Sequence, residues 1–336
     1  MIPSFTNNPS KDLIRQSWNT PILRRLSDLY GIKYRYLGLP GVDLIDILLW
    51  RDMIEEVIAF EPPAKTGNKR QNILTLRGNL RKNLIPGYAF YGSIEQVVIL
   101  RKDVEGQVYR QNNLITLYNL DFCDEICSKI FTLNSEEKIW RYEALRTIIA
   151  DQKNAYLNSN QKPNTFILLI TVRNQIDSNN LRAILSDIRQ ANAMSRLDLF
   201  RESLTAVPES RPLIGSHGWG LKIFLYDFLC NCFDGQNISA LFFPFIFYYG
   251  TPIRLRHRTI QSPMLHLMLV CQFGDFEARH PDTLPQNFLN YPCVEVNDGR
   301  FNWKMETEGD IVQPTLPNPV TWLDQHCGQL MNKIVI

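Results

Sequence analysis

Residues 33–63 constrain the fold of this chain more than any other stretch. Two short apolar segments in it are typical of strands buried in a parallel sheet, and they enclose a segment with helical spacing. Between the first segment and the helix lies Gly38-Leu39-Pro40-Gly41, whose glycines and proline predict a tight turn. Glu61 follows the second segment directly, and the two prolines after it stop any further strand pairing. The stretch therefore predicts a strand, a helix and a second strand that ends in an acid.

The rest of the chain continues this alternation of strands and helices. Apolar runs predict further strands, and apolar residues repeated every three to four positions predict helices. Strands are predicted at 33–37, 57–60, 114–120 and 165–172, β structure with a hairpin over 88–107, and helices at 11–18 (capped by Ser10), 20–30, 42–50, from 72, at 135–157, 179–201 and 221–233. Two late apolar runs, 240–249 and 264–273, flank a polar turn and predict an antiparallel hairpin. We therefore predict an α/β fold with a doubly wound, mostly parallel sheet closed by this late hairpin.

The length of 336 residues allows one large α/β domain with additions, or two domains. We predict an N-terminal helical segment at 1–32, a Rossmann-like domain at 33–275 with an insertion at about 205–236, and a C-terminal extension at 276–336. In such sheets, ligands bind at the carboxyl ends of the strands, near the point where the strand order reverses. The loops after Leu37, Phe60 and Leu120 are therefore predicted to meet at one crevice.

Composition excludes several classes of function. The net charge of +2 provides no global positive field, so any contact with nucleic acid must come from local basic patches. The first 18 residues have no continuous apolar region of the kind found in secretory signals, and no run of about 18 apolar residues predicts a membrane span. Seven cysteines without such a signal predict reduced thiols. We therefore expect a cytoplasmic protein without a membrane partner.

Motifs for metal binding and for nucleotide hydrolysis are missing from the sequence. Cys123 and Cys127, and likewise Cys230 and Cys232, have no matching second pair, so buried thiols are favoured and no metal is predicted. The histidines form no zinc-binding pattern, and a catalytic role for His217 in its loop is disfavoured. Neither a P-loop nor a Gly-x-Ser-x-Gly sequence is present.

The order of elements and the 38–41 turn resemble the class I S-adenosylmethionine-dependent methyltransferases over about residues 20–275. In that family a glycine-rich first turn lets the backbone approach the cofactor, and an acid at the end of the second strand binds the ribose hydroxyls. The resemblance therefore implies S-adenosylmethionine as cofactor, held by Gly38, Pro40, Gly41, Asp43 and Glu61. Two carboxylate oxygens can accept both ribose hydroxyls, which is the physical reason for an acid there.

The end of the predicted fourth strand, Asn119-Leu120-Asp121-Phe122, resembles the Asn-Pro-Pro-aromatic motif of methyltransferases that modify nucleic-acid amines. The resemblance implies that Asn119 orients the amine and that Phe122 stacks on the flipped base. Asp121 would accept a proton or a hydrogen bond. The implied reaction is methylation of a nucleic-acid amine.

Two basic clusters offer contacts to phosphates. The first lies within residues 65–82 and includes Lys69 and Arg70, and the second includes Arg254, Arg256 and Arg258 in the turn of the late hairpin. Residues 254, 256 and 258 share one side if that segment is extended. A nucleic acid is the predicted partner, and an ordinary solvated loop or an acidic protein surface are the alternatives.

A second hypothesis keeps the fold without the chemistry. Arg35 and Tyr36 precede the turn where the family usually has an acid, Leu39 interrupts the turn, and both prolines of the strand-four motif are replaced. These departures favour a catalytically inactive binding or assembly subunit of a larger complex, for example one that acts on nucleic acid. Binding of S-adenosylmethionine separates the two hypotheses.

Overall fold

A computed structural model describes most of the chain in segments. The described residues are 8–63, 67–122, 125–131, 138–159, 165–174, 215–242, 246–255, 258–273, 293–296, 303–307, 310–312 and 318–331. The predicted helix at 179–201 and residues 205–214 of the predicted insertion lie outside them.

Strands and helices alternate over much of the described part of the chain. The strands are β1 (Tyr34–Gly38), β2 (Ile54–Glu61), β3 (Gly87–Tyr91), β4 (Leu117–Asp121), β5 (Lys129–Phe131), β6 (Lys138–Trp140), β7 (Thr165–Arg173), β8 (Ile238–Phe242), β9 (Ile246–Leu255), β10 (Arg258–Phe273), β11 (Cys293–Val296), β12 (Trp303–Thr307) and β13 (Asp310–Val312). The helices are α1 (Pro9–Ile14), a π-helical turn (Arg15–Asn19), α2 (Thr20–Tyr30), α3 (Ile45–Leu49), α4 (Gln71–Lys82), α5 (Ile94–Leu100), α6 (Tyr142–Leu157), α7 (Gly215–Asp234) and α8 (Pro319–Met331).

The described part of the main sheet confirms the predicted fold class. Strands β3, β2, β1, β4 and β7 lie side by side in this order and run parallel. Strand β10 pairs antiparallel with β7, and β9 and β8 pair antiparallel with β10. Strand order reverses between β1 and β4, which places a switch point at the carboxyl ends of these two strands. The sheet continues through β11, β12 and β13, which come from the predicted C-terminal extension.

Helices cover both faces of this sheet. One face contributes Tyr36, Ala59 and Leu117 to a core with Trp18, and α2, α3 and α4 pack against this face. The other face contributes residues such as Tyr118 to a core with α5, α6 and α7. We call the first of these the N-terminal face. The buried side chains on both faces explain why the parallel strands are apolar throughout.

Four local predictions differ from the structure. Residues 94–100 form helix α5 where β structure was predicted, because Ser93 caps the helix by accepting a hydrogen bond from the Gln96 N–H at 3.3 Å. Helix α6 begins at Tyr142 instead of residue 135, after the short strand β6. Helix α7 begins at Gly215, six residues before the predicted start. The predicted turn at 250–263 is mostly part of strands β9 and β10.

The N-terminal helix is also capped differently from the prediction. The Asn8 side chain accepts hydrogen bonds from the N–H groups of Ser10 and Lys11, so Asn8 is the N-cap where Ser10 was predicted. Gly31 ends α2 in the left-handed conformation (φ 62°), which glycine adopts without steric cost. Among the described helices, none combines the length and hydrophobicity needed to cross a membrane.

Candidate functional site

The turn after β1 is packed directly against the end of β4. A methyl group added to Gly38 would lie 2.2 Å from the backbone oxygen of Asn119, so only glycine fits. The Leu39 N–H donates a hydrogen bond to the same oxygen at 3.2 Å. This close contact fixes the turn at the switch point of the sheet.

The second half of the turn leaves space beside the backbone. Gly41 has a φ of 68°, which favours glycine, and a methyl group at this position would meet no atom within 4 Å. Pro40 is buried and Asp43 is exposed. Leu44 adopts a left-handed conformation (φ 56°) immediately before α3, which is uncommon for a residue other than glycine. The turn thus combines an open glycine, an exposed acid and local backbone strain.

Glu61 lies at the end of β2, next to this turn. Gly38 pairs with Ala59 in the parallel register, so Glu61 lies two residues beyond the level of Gly38 on the neighbouring strand. One of its carboxylate oxygens accepts a hydrogen bond from Asn72 of α4 at 3.0 Å. Burial raises the pKa of the Glu61 carboxyl, and the Asn72 hydrogen bond opposes part of that rise. Glu61 is therefore a half-buried acid whose carboxylate is oriented by Asn72.

Asn119 is buried at the carboxyl end of β4, on the N-terminal face. Its amide nitrogen donates a hydrogen bond to Asp46 of α3 at 2.8 Å. The other Asp46 oxygen accepts a hydrogen bond from the Arg15 guanidinium, and both side chains of this ion pair are only 8% exposed. The amide of Asn119 therefore already takes part in a buried polar network.

Asp121 ends β4 on the same face and forms an ion pair with Lys11 of α1. The Asp121 side chain is 9% exposed and the Lys11 side chain 26%. The start of helix α1 is also held by two other hydrogen bonds, because Asn8 donates to the Gly250 carbonyl at 2.9 Å and Ser10 to the Val296 carbonyl at 3.1 Å. The N-terminal helix thus crosses from β9 and β11 to the end of β4.

Phe122 lies on the other face of the sheet. Its side chain is 2% exposed and belongs to the core that α5, α6 and α7 cover. The structure therefore brings Asn119 and Asp121 together but does not bring the Phe122 ring to them. The alternation of side chains along an extended strand is the physical reason.

A buried histidine adds to the polar network near Asp121. His266 of β10 lies between the Thr171 hydroxyl (2.9 Å) and the Asn19 side-chain oxygen (3.2 Å). Burial lowers the pKa of His266 to about 3, so the imidazole is neutral at physiological pH. Thr171 pairs with Asp121 across β4 and β7. This histidine thus links the π-helical turn to the strands beside Asp121.

Several residues of this region were missed in the sequence analysis: Lys11, Arg15, Asp46, Asn72 and His266. One sequence signal points to two of them. Lys11 and Arg15 are four residues apart, which places two cations on one side of the first predicted helix. Nothing in the sequence pattern shows that their partners lie 110 and 31 residues away.

The predicted phosphate-binding residues lie in two separate places. Lys69 and Arg70 are exposed near the end of β2, since the Tyr91 hydroxyl donates to the Lys69 carbonyl at 2.8 Å and Tyr91 pairs with Glu61. Arg70 forms an ion pair with Glu105, which reduces its free charge. The backbones of Arg254 and Arg258 belong to β9 and β10, next to their turn, and Arg256 lies outside the described residues.

Cys127, Cys230, Cys232 and Cys271 carry free thiols. Cys127, Cys232 and Cys271 are buried, and burial raises the pKa of each thiol. Within the described segments, no group of three or more histidine, cysteine, aspartate and glutamate side chains is placed to hold a metal ion.

The residues at the carboxyl ends of β1 and β2 have the chemistry that the ribose half of S-adenosylmethionine needs. Glu61 supplies acceptor oxygens, and the open space at Gly41 allows a ligand to approach the backbone. The methionine half brings positive charge, and the exposed Asp43 is an acid that can meet it. The deeper acids Asp46 and Asp121 already have cationic partners in Arg15 and Lys11.

No protein-family model and no curated protein matches the sequence. Solved structures to which the chain is similar include the O-methyltransferase TomG from Streptomyces achromogenes in complex with SAM, with 9% identity, coverage of 75% of this chain and 78% of that chain, and a TM-score of 0.30. The magnesium protoporphyrin IX methyltransferase from Synechocystis PCC 6803 with bound SAH shows 8% identity, coverage of 77% and 83%, and a TM-score of 0.30. Precorrin 8W decarboxylase from Methanobacterium thermoautotrophicum shows 8% identity, coverage of 76% and 90%, and a TM-score of 0.31.

The assignment of the fold depends on the strand order of this chain itself. Five parallel strands with their helices on both faces, closed by an antiparallel strand and its hairpin partner, form the class I methyltransferase-like fold that the resemblance implied. The chain has this fold.

Proposed function

We propose that this chain binds S-adenosylmethionine in the crevice between the loops after β1 and β2 and transfers its methyl group to an amine. The observation that carries the proposal is the position of Glu61 beside the 38–41 turn on the neighbouring parallel strand. An acid there can accept hydrogen bonds from ribose hydroxyls, while the turn leaves open space at Gly41. Asn72 holds the carboxylate of Glu61 from the side of α4.

The chemistry requires little from the protein beyond positioning. The cofactor, when bound, supplies an electrophilic methyl carbon on a positively charged sulfur. The acceptor amine would gain this methyl group and give up a proton, so the chain would have to orient the nitrogen lone pair and receive that proton. We propose that Asn119 and Asp121 border the acceptor side and that Asp121 accepts this proton or a hydrogen bond from the amine. Holding the two reactants in line accounts for most of the rate.

We propose a nucleic-acid base as the source of the amine. Lys69 and Arg70 lie exposed on the β2–α4 connection beside Glu61, where a phosphate backbone would find positive charge. Arg254, Arg256 and Arg258 form the second proposed contact. Lys69→Ala should weaken nucleic-acid binding and reduce the dependence of log affinity on log salt by about one unit. An affinity that does not change with salt would contradict these contacts.

A second function has its own supporting observation. Lys11 forms an ion pair with Asp121 at the end of β4, and Arg15 forms one with Asp46 at the start of α3. The two acids nearest the proposed acceptor side therefore already have cationic partners within the chain. In this alternative the chain is a catalytically inactive binding or assembly subunit, and the N-terminal helix is a fixed structural part of it. It would bind neither S-adenosylmethionine nor an acceptor at this edge.

Calorimetric titration with S-adenosylmethionine tests the first proposal against the second. We expect saturable binding by the unchanged chain and a loss of about tenfold or more in affinity for Glu61→Gln, because a charge-assisted hydrogen bond is lost. Glu55→Gln is the matched control, since Glu55 lies on the same strand with a half-exposed side chain paired to Arg35 at 3.5 Å. Its affinity should stay within about twofold of the unchanged chain. No binding at millimolar cofactor favours the inactive subunit.

A further inference from the structure

The ion pair between Lys11 and Asp121 joins the start of the described chain to the end of β4. We infer that Lys11 is a specificity-determining residue, which sets the charge of the crevice and thereby its preference between a positively charged and a neutral form of the same ligand. The inference rests on the proposed function, because it concerns the same crevice. It adds a role for a helix that the resemblance did not include.

The geometry places Lys11 in this role. Helix α1 is fixed by hydrogen bonds to the carbonyls of Gly250 and Val296, so its position over the sheet edge does not depend on Lys11 alone. The Asp121 carboxylate is 9% exposed, and a carboxylate in such a site interacts strongly with any nearby charge. Lys11 supplies a positive charge directly against it. The pair therefore presents no net charge to a ligand at the end of β4.

Lys11 differs from its neighbour Arg15 in a way that matters for specificity. Arg15 is 8% exposed and bridges Asp12 and Asp46, so it is an internal part of the network. Lys11 is 26% exposed and lies at the boundary between the network and solvent. A lysine is also a point charge on a flexible stem, which can yield to a competing cation. Lys11 is therefore the residue at which the charge of the crevice can be altered.

S-adenosylmethionine and S-adenosylhomocysteine are suitable probes of the charge at the end of β4. The two molecules differ by one methyl group and by the positive charge on sulfur. With Lys11 present, Asp121 is neutralised and gives the sulfonium little advantage over the neutral thioether. Removal of Lys11 takes away the positive charge beside Asp121, and removal of Asp121 takes away the negative charge beside Lys11.

The experiment measures the affinities of both ligands by calorimetry for the unchanged chain and for Lys11→Met, Asp121→Asn and the double variant. The preference for the sulfonium should rise about tenfold in Lys11→Met and fall about tenfold in Asp121→Asn. The double variant, which leaves neither charge, should return to within about threefold of the original ratio. Arg24→Met is the control, because it breaks the exposed ion pair between Arg24 of α2 and Asp52. This variant should leave the ratio of the two affinities unchanged.

Opposite shifts in the two single variants distinguish a charge effect from simple loss of structure, which would weaken both ligands together. Equal ratios in all four proteins, with both ligands bound, would overturn the inference and leave the proposed function standing. Shifts in the same direction would overturn it as well. Failure of the unchanged chain to bind either ligand would overturn the proposed function and the inference with it.

Discussion

The Asn119 amide nitrogen donates a hydrogen bond to Asp46 at 2.8 Å, which connects the end of β4 to the helix that follows β1. This bond lies at the switch point of the sheet, where the strand order reverses between β1 and β4. Both side chains are buried, and Asp46 also forms an ion pair with Arg15. The contact therefore couples the predicted catalytic asparagine to the fold itself.

Removal of this bond should destabilise the chain. Asn119→Ala leaves one oxygen of a buried carboxylate without its donor, at a cost of about 1.5–3 kcal/mol in the free energy of unfolding. Urea denaturation measures the loss. Asn83→Ala is the control, because its hydrogen bond to the Asn79 carbonyl is exposed and should matter little. Equal losses of unfolding free energy in the two variants would show that the buried hydrogen bond stabilises the chain no more than the exposed one.

The ion pair of Arg15 and Asp46 should be far more important than an exposed pair. Arg15→Met leaves Asp46 as a buried charge without its cation, which should cost about 3–5 kcal/mol. Arg24→Met, whose partner Asp52 is 58% exposed, should cost at most about 1 kcal/mol. Guanidinium denaturation of both variants gives the comparison. A loss of less than about 1 kcal/mol for Arg15→Met would contradict the prediction, because it would mean that water solvates the Asp46 carboxylate in place of Arg15.

Gly38 should tolerate no side chain. Gly38→Ala places a methyl group 2.2 Å from the Asn119 oxygen, so the turn must move away from β4, at a cost of about 1–3 kcal/mol or more. Gly78→Ala is the matched control in α4, because its methyl group meets nothing within 4 Å and alanine favours the helix by about 1 kcal/mol. Thermal unfolding should therefore shift in opposite directions for the two variants.

Glu61 should make stability depend on pH. Its pKa is raised in the folded chain, so the folded state binds the proton more tightly than the unfolded state. The penalty for the ionised carboxylate is full above the folded pKa and disappears as the pH falls below the unfolded value of about 4.3. Glu61→Gln should therefore stabilise the chain at pH 7, and the gain should vanish below pH 4. A gain that is constant from pH 7 to pH 3.5, or a loss at pH 7, would contradict this assignment.

The sequence predicts the framework of the site better than its contacts. The 38–41 turn and the acid at the end of β2 are local patterns, and the structure places them side by side. Local signals also existed for α5, where Ser93 and Gln96 have the spacing of a helix cap, but the apolar run from Tyr88 favoured a strand.

The interior of the site depends on contacts between distant residues. Lys11 and Asp121 are 110 residues apart, and His266 meets Asn19 across 247 residues. Periodicity describes one element at a time, so it cannot show which helix crosses which strand end. Alternation along β4 correctly predicts that Phe122 lies on the opposite face of the sheet from Asn119 and Asp121. The resemblance of residues 119–122 to the four-residue motif implied instead that all of them meet at one site.

A crystal structure of the chain with S-adenosylhomocysteine tests the central claim most directly. The account predicts that both ribose hydroxyls lie within hydrogen-bond distance of the Glu61 carboxylate, with the ligand against Gly41 in the turn after β1. A ligand bound elsewhere, or its absence from crystals grown at millimolar concentration, would contradict the account.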